Sequence, residues 1–413
     1  MSFLTSEIKK PLYWGLAWIF TFINFVTFIV SRNEFWLTHP GQAWLAASVT
    51  EDRTYLASEF ERNLTCYTPL TCLRSGGAFI AQTLIEATTT MSGFVSVNIN
   101  SEQETFIILI VGLMWRVTCL TLFLICVTKV LESLQSALCV TNCLMFVLGG
   151  LPLWTLGKAI INLPIGLENE ITMRANDAFY YMSFQDLMFY DYGFIAIVPL
   201  TILALAKIDD ISKLSIKSLF LTGFLTATFY EAFVPIIFLS ALMFSWRTSR
   251  KIQFSLIWLS VGQLVWTVSR AFSIRFTEAN DPTSQYFTDT SLFGIFRDST
   301  SNGISTKGSL ISILIQLCFI AAVAATAGVV GSLIIAKFRF LPIFIEKTLS
   351  AVTTTAFAAT IIISASFLRP IYVETGRQSI GLTVAVVIYS FAATQNFLAK
   401  AQAKRLAASS NSV

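Results

Sequence analysis

The chain has 413 residues, 55% of them hydrophobic and 13% charged, with a mean hydropathy of +0.69. Soluble globular chains carry about 25% charged residues, so half the usual charge is missing and a bilayer, rather than water, is the expected solvent. The net charge of +4, from 28 basic and 24 acidic residues, leaves no basic excess for a nucleic-acid partner.

Several apolar runs reach the roughly 20 residues needed to cross a hydrocarbon core of about 30 Å. The alternating ten-residue pattern of an outer-membrane barrel is absent. The expectation is therefore an all-α, polytopic transmembrane helical bundle of about ten spans, forming a single integral membrane domain over 1–413. The first run, 11–30, follows Lys9 and Lys10. It is too long for a signal peptide, and "VSRNEFW" offers no small-residue cleavage site, so it reads as a retained anchor. The first external loop, 31–104, contains "GQAWLAASVTEDRTYLASEFERNL" and "GGAFIAQTLIEATTTMSGFV". Both read as interfacial amphipathic helices, with Trp44, Tyr55 and Phe60 on an apolar stripe. The loop also holds the acids Glu34, Glu51 and Asp52, the single histidine His39, and the formal glycosylation sequon Asn63-Leu64-Thr65. Cys66 and Cys72 lie on this loop too, spaced for a small disulfide in an oxidising compartment; two unpaired thiols are the alternative.

The second and third spans are 106–127 and 135–156. Arg116, in "GLMWRVTCL", lies about 16 Å along its helix from the outer end, near mid-bilayer. It needs a partner, and Glu231 and Asp191 are the candidates; a purely structural ion pair is the plain alternative. A second external loop, 157–191, carries Lys158, Glu168, Glu170, Arg174, Asp177, Asp186 and Asp191 among many tyrosines. The span 192–207 then leads into "AKIDDISKLSIK".

The segment 215–247 is harder to place. From Ser218 to Trp246 its only acid is Glu231, in "TATFYEAFVP". At 1.5 Å per residue its roughly 33 residues make about 50 Å of helix, too long for one crossing and short for two. Two abbreviated helices meeting near Tyr230 and Glu231 fit that length. An intramembrane ionisable residue usually faces the bundle interior and is a functional candidate, whereas a glutamate hydrogen-bonded to a neighbouring helix would be structural.

After the span 253–272 comes a third external loop, 273–307, rich in Ser, Thr, Asn and Asp and suited to a flexible cover. The last spans are 309–335, 342–367 and 380–397. Between the final two, "FLRPIYVETGRQ" presents Arg369 and Arg377, whose guanidinium forks suit phosphate oxygens or serve as interfacial anchors.

Basic residues in short loops set the orientation. Lys9 and Lys10, Lys129, Lys207 to Lys217, Lys337 with Arg339, and "KAQAKR" all read as cytoplasmic, with both termini inside. Arg247, Arg250 and Lys251 join them only if 215–247 goes out and returns as a short hairpin. That puts Glu231 at an outward tip, facing a water-filled cavity.

No P-loop, GxGxxG, GxSxG or paired CxxC is present. The large first external loop with interfacial helices after the first span resembles the membrane glycosyltransferases of the GT-C type, which take sugars from polyprenyl-phosphate donors. "TATFYEAFVPIIF" is similar to the short element of the bacterial enzymes that glucosylate O-antigen. The resemblance covers topology over most of the chain, and it implies a bacterial inner (plasma) membrane enzyme of envelope polysaccharide synthesis. The family's catalytic acid lies on the first loop. Here the acids nearest the first span are Glu34 and then Glu51 and Asp52, without the family's adjacent pair soon after that span.

A lipid-phosphate donor keeps its polyprenyl tail in the bilayer while its sugar meets a glycan or lipid-linked acceptor. A carboxylate of raised pKa can serve as base: Asp52, Glu51, Glu34, Asp186, Asp191 or Glu231. Arg369, Arg377, Arg116 and Lys158, or a divalent cation such as Mg or Mn, would offset the phosphate charge. Two other functions remain open, a polysaccharide polymerase or ligase and a secondary transporter. A transporter would call for internal repeats and broken helices in both halves.

Overall fold

The computed structural model describes residues 7–31, 101–148, 189–229, 249–278, 306–335, 338–366 and 379–410, together with 240, 241 and 243. Among the described residues there are ten helices and no strand. They are α1 (Pro11–Ser31), α2 (Ser101–Leu131), α3 (Leu134–Leu148), α4 (Phe189–Ala206) and the four-residue α5 (Ile208–Ile211). Then follow α6 (Ile216–Phe229), α7 (Arg250–Glu278), α8 (Thr306–Ile334), α9 (Ile343–Ser366) and α10 (Ile380–Ser410). Among the described residues three stretches are long and apolar enough to cross a membrane: Leu113–Leu131, Leu317–Ile334 and Ile380–Ser409. Shorter apolar helical stretches include Pro11–Ile23, Leu134–Leu148, Ile195–Ala206 and Ile216–Ala227.

The helix starts follow from local chemistry. Serine side chains cap α3, α6 and α7: Ser133 Oγ accepts from Ser136 N, Ser215 Oγ from Ser218 N, and Ser249 Oγ from Ile252 N. Within the helices, threonine hydroxyls bond the carbonyl four residues back, as at Thr21, Thr118, Thr141, Thr348 and Thr360. That habit satisfies a hydroxyl where no water is available. Large apolar side chains point outward too, with Phe22 65% exposed on α1 and Ile334 74% exposed on α8. Such a surface suits lipid and is costly in water.

The chain divides into two compact units. The first comprises Met1–Phe123, Ser183–Ile197 and Asp209–Ser291, and the second Leu124–Met182, Val198–Ile208 and Leu292–Val413. In the first unit α6 and α7 pack intimately, because glycines let the backbones touch. A Cβ on Gly223 would fall 2.0 Å from the Leu259 carbonyl oxygen, and one on Gly262 2.2 Å from that of Phe220. Further along, Thr226 meets Gln263, and Phe224 packs edge-on against Trp266 with ring centroids 5.3 Å apart. Gly223 meets Leu259, Thr226 meets Gln263 and Ala227 meets Trp266, so the two helices run parallel through their crossing. The basic starts of both, Lys217 and Arg250 with Lys251, therefore share one end. Between Phe229 and Arg250 only Ser240, Ala241, Met243 and Ser249 are described, so the short hairpin expected over 215–247 lies outside the described residues. α6 itself has 14 residues and ends at Phe229.

In the second unit α3, α8, α9 and α10 pack together. Again glycine permits the approach: a Cβ on Gly328 would lie 2.7 Å from the Val387 carbonyl oxygen, and one on Gly331 2.3 Å from Cys143 Sγ. Cys139 Sγ donates to the Gly331 carbonyl at 3.3 Å. The α2–α3 turn, the α8–α9 connection and the C-terminal part of α10 gather at one end of this unit. Arg339 donates to the Glu132 carbonyl across that end. Glu132 has a positive φ of 51°, and Ser133 N bonds the Thr128 carbonyl at 3.2 Å, closing α2 in a left-handed cap. Lys129, Arg339 and Lys400 thus belong to one end. The helix α10 continues to Ser410, so "KAQAKR" forms its last exposed turns and not a loop beyond it.

Candidate functional site

Arg116 sits on α2 at 4% exposure, between the fully buried Val117 and the half-buried Trp115, and it makes an interaction within the protein. Asp191 is the third residue of α4. Glu231 lies outside the described residues, two positions beyond the end of α6. Glu34, Glu51, Asp52, Lys158, Asp186, Arg369 and Arg377 also lie outside them, as do His39, Asn63 and the proposed Cys66–Cys72 bridge.

The described chemistry closest in sequence to Glu231 is the far end of the α6–α7 pair. Gln263 Nε2 donates to Thr226 Oγ1 at 3.3 Å, with Gln263 only 1% exposed. One turn further along α7, Trp266 is fully buried against Phe224 and Ala227. A glutamine and a tryptophan thus stand among apolar neighbours in this helix pair. Polar side chains at membrane depth carry an energetic cost and usually face a bundle interior or cavity. Sequence reading passed over Gln263 because "SVGQLVWTV" shows no charge; only a polar letter in an apolar run marked it.

A second polar cluster occupies the basic end of the second unit. Asn396 Nδ2 donates to Glu346 Oε2 at 2.8 Å, while Asn396 Oδ1 accepts the Leu341 backbone N–H at 2.6 Å. Lys400 Nζ lies 3.8 Å from Glu346 Oε2 and 5.6 Å from the centroid of the Phe340 ring. These side chains come from α9, α10 and the connection before α9, and no motif links them in sequence.

Two ion pairs stand at helix ends of the first unit. Glu7 holds Lys10 Nζ at 2.8 Å just ahead of α1, and its hydrogen bond raises the lysine pKa above the ordinary value. Asp210 does the same for Lys213 at 2.9 Å, in the turn before α6.

Comparison with protein-family models, with curated proteins and with solved structures finds no match. Among the described residues no three His, Cys, Asp or Glu side chains converge as a metal site.

Proposed function

We propose that the chain is an integral membrane transferase of the GT-C type, which moves a sugar from a polyprenyl-phosphate donor to a glycan or lipid-linked acceptor. The observation that carries this reading is the parallel packing of α6 and α7. With Lys217 and Arg250 at one end of that pair, an out-and-back course for 215–247 would carry Glu231 away from the basic starts of both helices. An acid at the end opposite the lysines and arginines is what an externally acting transferase needs. Its substrates wait on the side where basic loops are scarce.

In this reading Glu231 shares the reaction with Asp52, Glu51, Glu34, Asp186 and Asp191, one of them taking the proton from the acceptor hydroxyl. Gln263 and Trp266 form the wall beneath. Arg369, Arg377 and Lys158 neutralise the departing phosphate, together with Arg116. A divalent cation, Mg or Mn, is the other source of counter-charge, and dialysis of purified protein against a chelator separates the two. The enzyme would sit in a bacterial inner membrane with both termini in the cytoplasm.

The test is transfer from a synthetic polyprenyl-phosphate sugar by purified protein. General-base catalysis contributes about 10²- to 10⁴-fold, so Glu231→Ala or Asp52→Ala should lower transfer by that order while donor binding persists. The reading fails if the protein binds no such donor and both variants leave glycan modification intact. Uptake of a solute into proteoliposomes would instead mark a secondary transporter. Altered glycan chain length in a deletion strain would mark a polymerase or ligase.

A further inference from the structure

The basic end of the second unit carries more than an orientation signal. Its described cations are Lys129, Arg339, Lys347, Lys400, Lys404 and Arg405, and its described acids are Glu132 and Glu346. Glu346 is already engaged by Asn396 and approached by Lys400. Arg339 is exposed and uses one nitrogen on the Glu132 carbonyl. A guanidinium has five N–H donors, so donors remain for an oxyanion. Between Arg339 and Lys400 stands Phe340, 57% exposed, next in sequence to one and under the ammonium of the other.

Exposed apolar side chains flank Arg339 and Phe340 in sequence. Leu333 and Ile334 at the end of α8 are 56% and 74% exposed, and Ile343 and Phe344 at the start of α9 are 60% and 43% exposed. Cations next to a band of outward aliphatic and aromatic side chains are what an amphiphile with an anionic head recognises: acyl chains on the band, phosphate on the guanidinium and ammonium. A free anion would use the cations and leave the band uncovered.

We propose that residues 338–344, before and at the start of α9, and the adjoining turn of α10 form a binding site for an anionic phospholipid. Arg339 and Lys400 meet the headgroup phosphate, and Ile334, Phe340, Ile343 and Phe344 lie along the acyl chains. This rests on the membrane reading but not on glycosyl transfer.

The experiment is native mass spectrometry of the full chain in detergent, with phosphatidylglycerol or phosphatidylcholine added, alongside thermal unfolding in the same mixtures. Wild type should retain phosphatidylglycerol in preference to phosphatidylcholine and unfold at a higher temperature with it. Inorganic phosphate at equal concentration should do neither. Each basic residue near an anionic surface contributes about 1 kcal/mol, and 1.4 kcal/mol is tenfold. Arg339→Gln with Lys400→Gln should therefore weaken retention roughly 30-fold, and Lys400→Gln alone by a smaller factor. Lys400→Gln leaves the Arg339–Glu132 contact in place, so its effect does not depend on that link. Arg339→Lys should keep most of the retention. Equal retention of both lipids, a matching shift with inorganic phosphate, or unchanged retention in the Lys400→Gln variant would overturn the proposal. Loss of transferase activity would leave it standing.

Discussion

Asn396 shows what a single amide does in an apolar bundle. Its oxygen takes the Leu341 N–H and its nitrogen gives to Glu346, so one side chain fixes both the start of α9 and a nearby carboxylate. Removing it leaves a donor and a charged acceptor without that partner, and such groups cost about 1–3 kcal/mol each when buried. Asn396→Ala should therefore lower the unfolding temperature in detergent clearly, and an unchanged transition would show that Glu346 and Leu341 find other partners. Glu132 works through its backbone alone, since its side chain is exposed and its φ is 51°. A left-handed conformation costs a non-glycine residue about 1–2 kcal/mol. Glu132→Gly should thus raise the unfolding temperature, unless the extra freedom of glycine in the unfolded chain offsets the gain. Neither residue stood out in the sequence. Glu346 and Asn396 are fifty positions apart, and their meeting depends on how α9 and α10 pack.

At the level of elements, glycine-mediated contact decides the architecture. Gly223 and Gly262 each lie against the carbonyl of the partner helix, and no side chain stands between the backbones. Overpacking a tight interface costs typically 1–3 kcal/mol, and here the obstacle is a backbone atom that cannot swing away. Gly262→Ala should push α6 from α7. The variant should therefore unfold at a lower temperature in detergent, and an unchanged transition would contradict the close approach. The apolar runs and their lengths announced most helices, because hydropathy over about 20 residues is a strong local signal. Helix ends were less legible. The sequence reading stopped the last span at 397, where apolarity fades, but α10 runs on to Ser410 because Ala, Lys, Gln, Arg and Leu are all strong helix formers. The capping serines Ser133, Ser215 and Ser249 each stand just before a helix and were readable in principle.

For the whole molecule, the decisive inference came from counting charges. If basic loops share a side, 215–247 must return to where it started, and the parallel course of α6 and α7 is compatible with such a return. In the second unit the Arg339–Glu132 contact and the Lys400–Glu346 pair likewise bring three basic segments to one end. Charge parity can be read from a sequence because it depends only on composition and order. A convergence of acids cannot, since it depends on how distant loops fold over one another. The most direct test is a sidedness map by cysteine substitution at Ser101, Ser212, Ser245 and Ser301, probed in intact cells with a membrane-impermeant maleimide. Positions 212 and 245 should both be shielded while 101 and 301 react. Labelling of 245 from outside would place "SWRTSRK" across the membrane from Lys217, and the excursion that carries Glu231 outward would not exist.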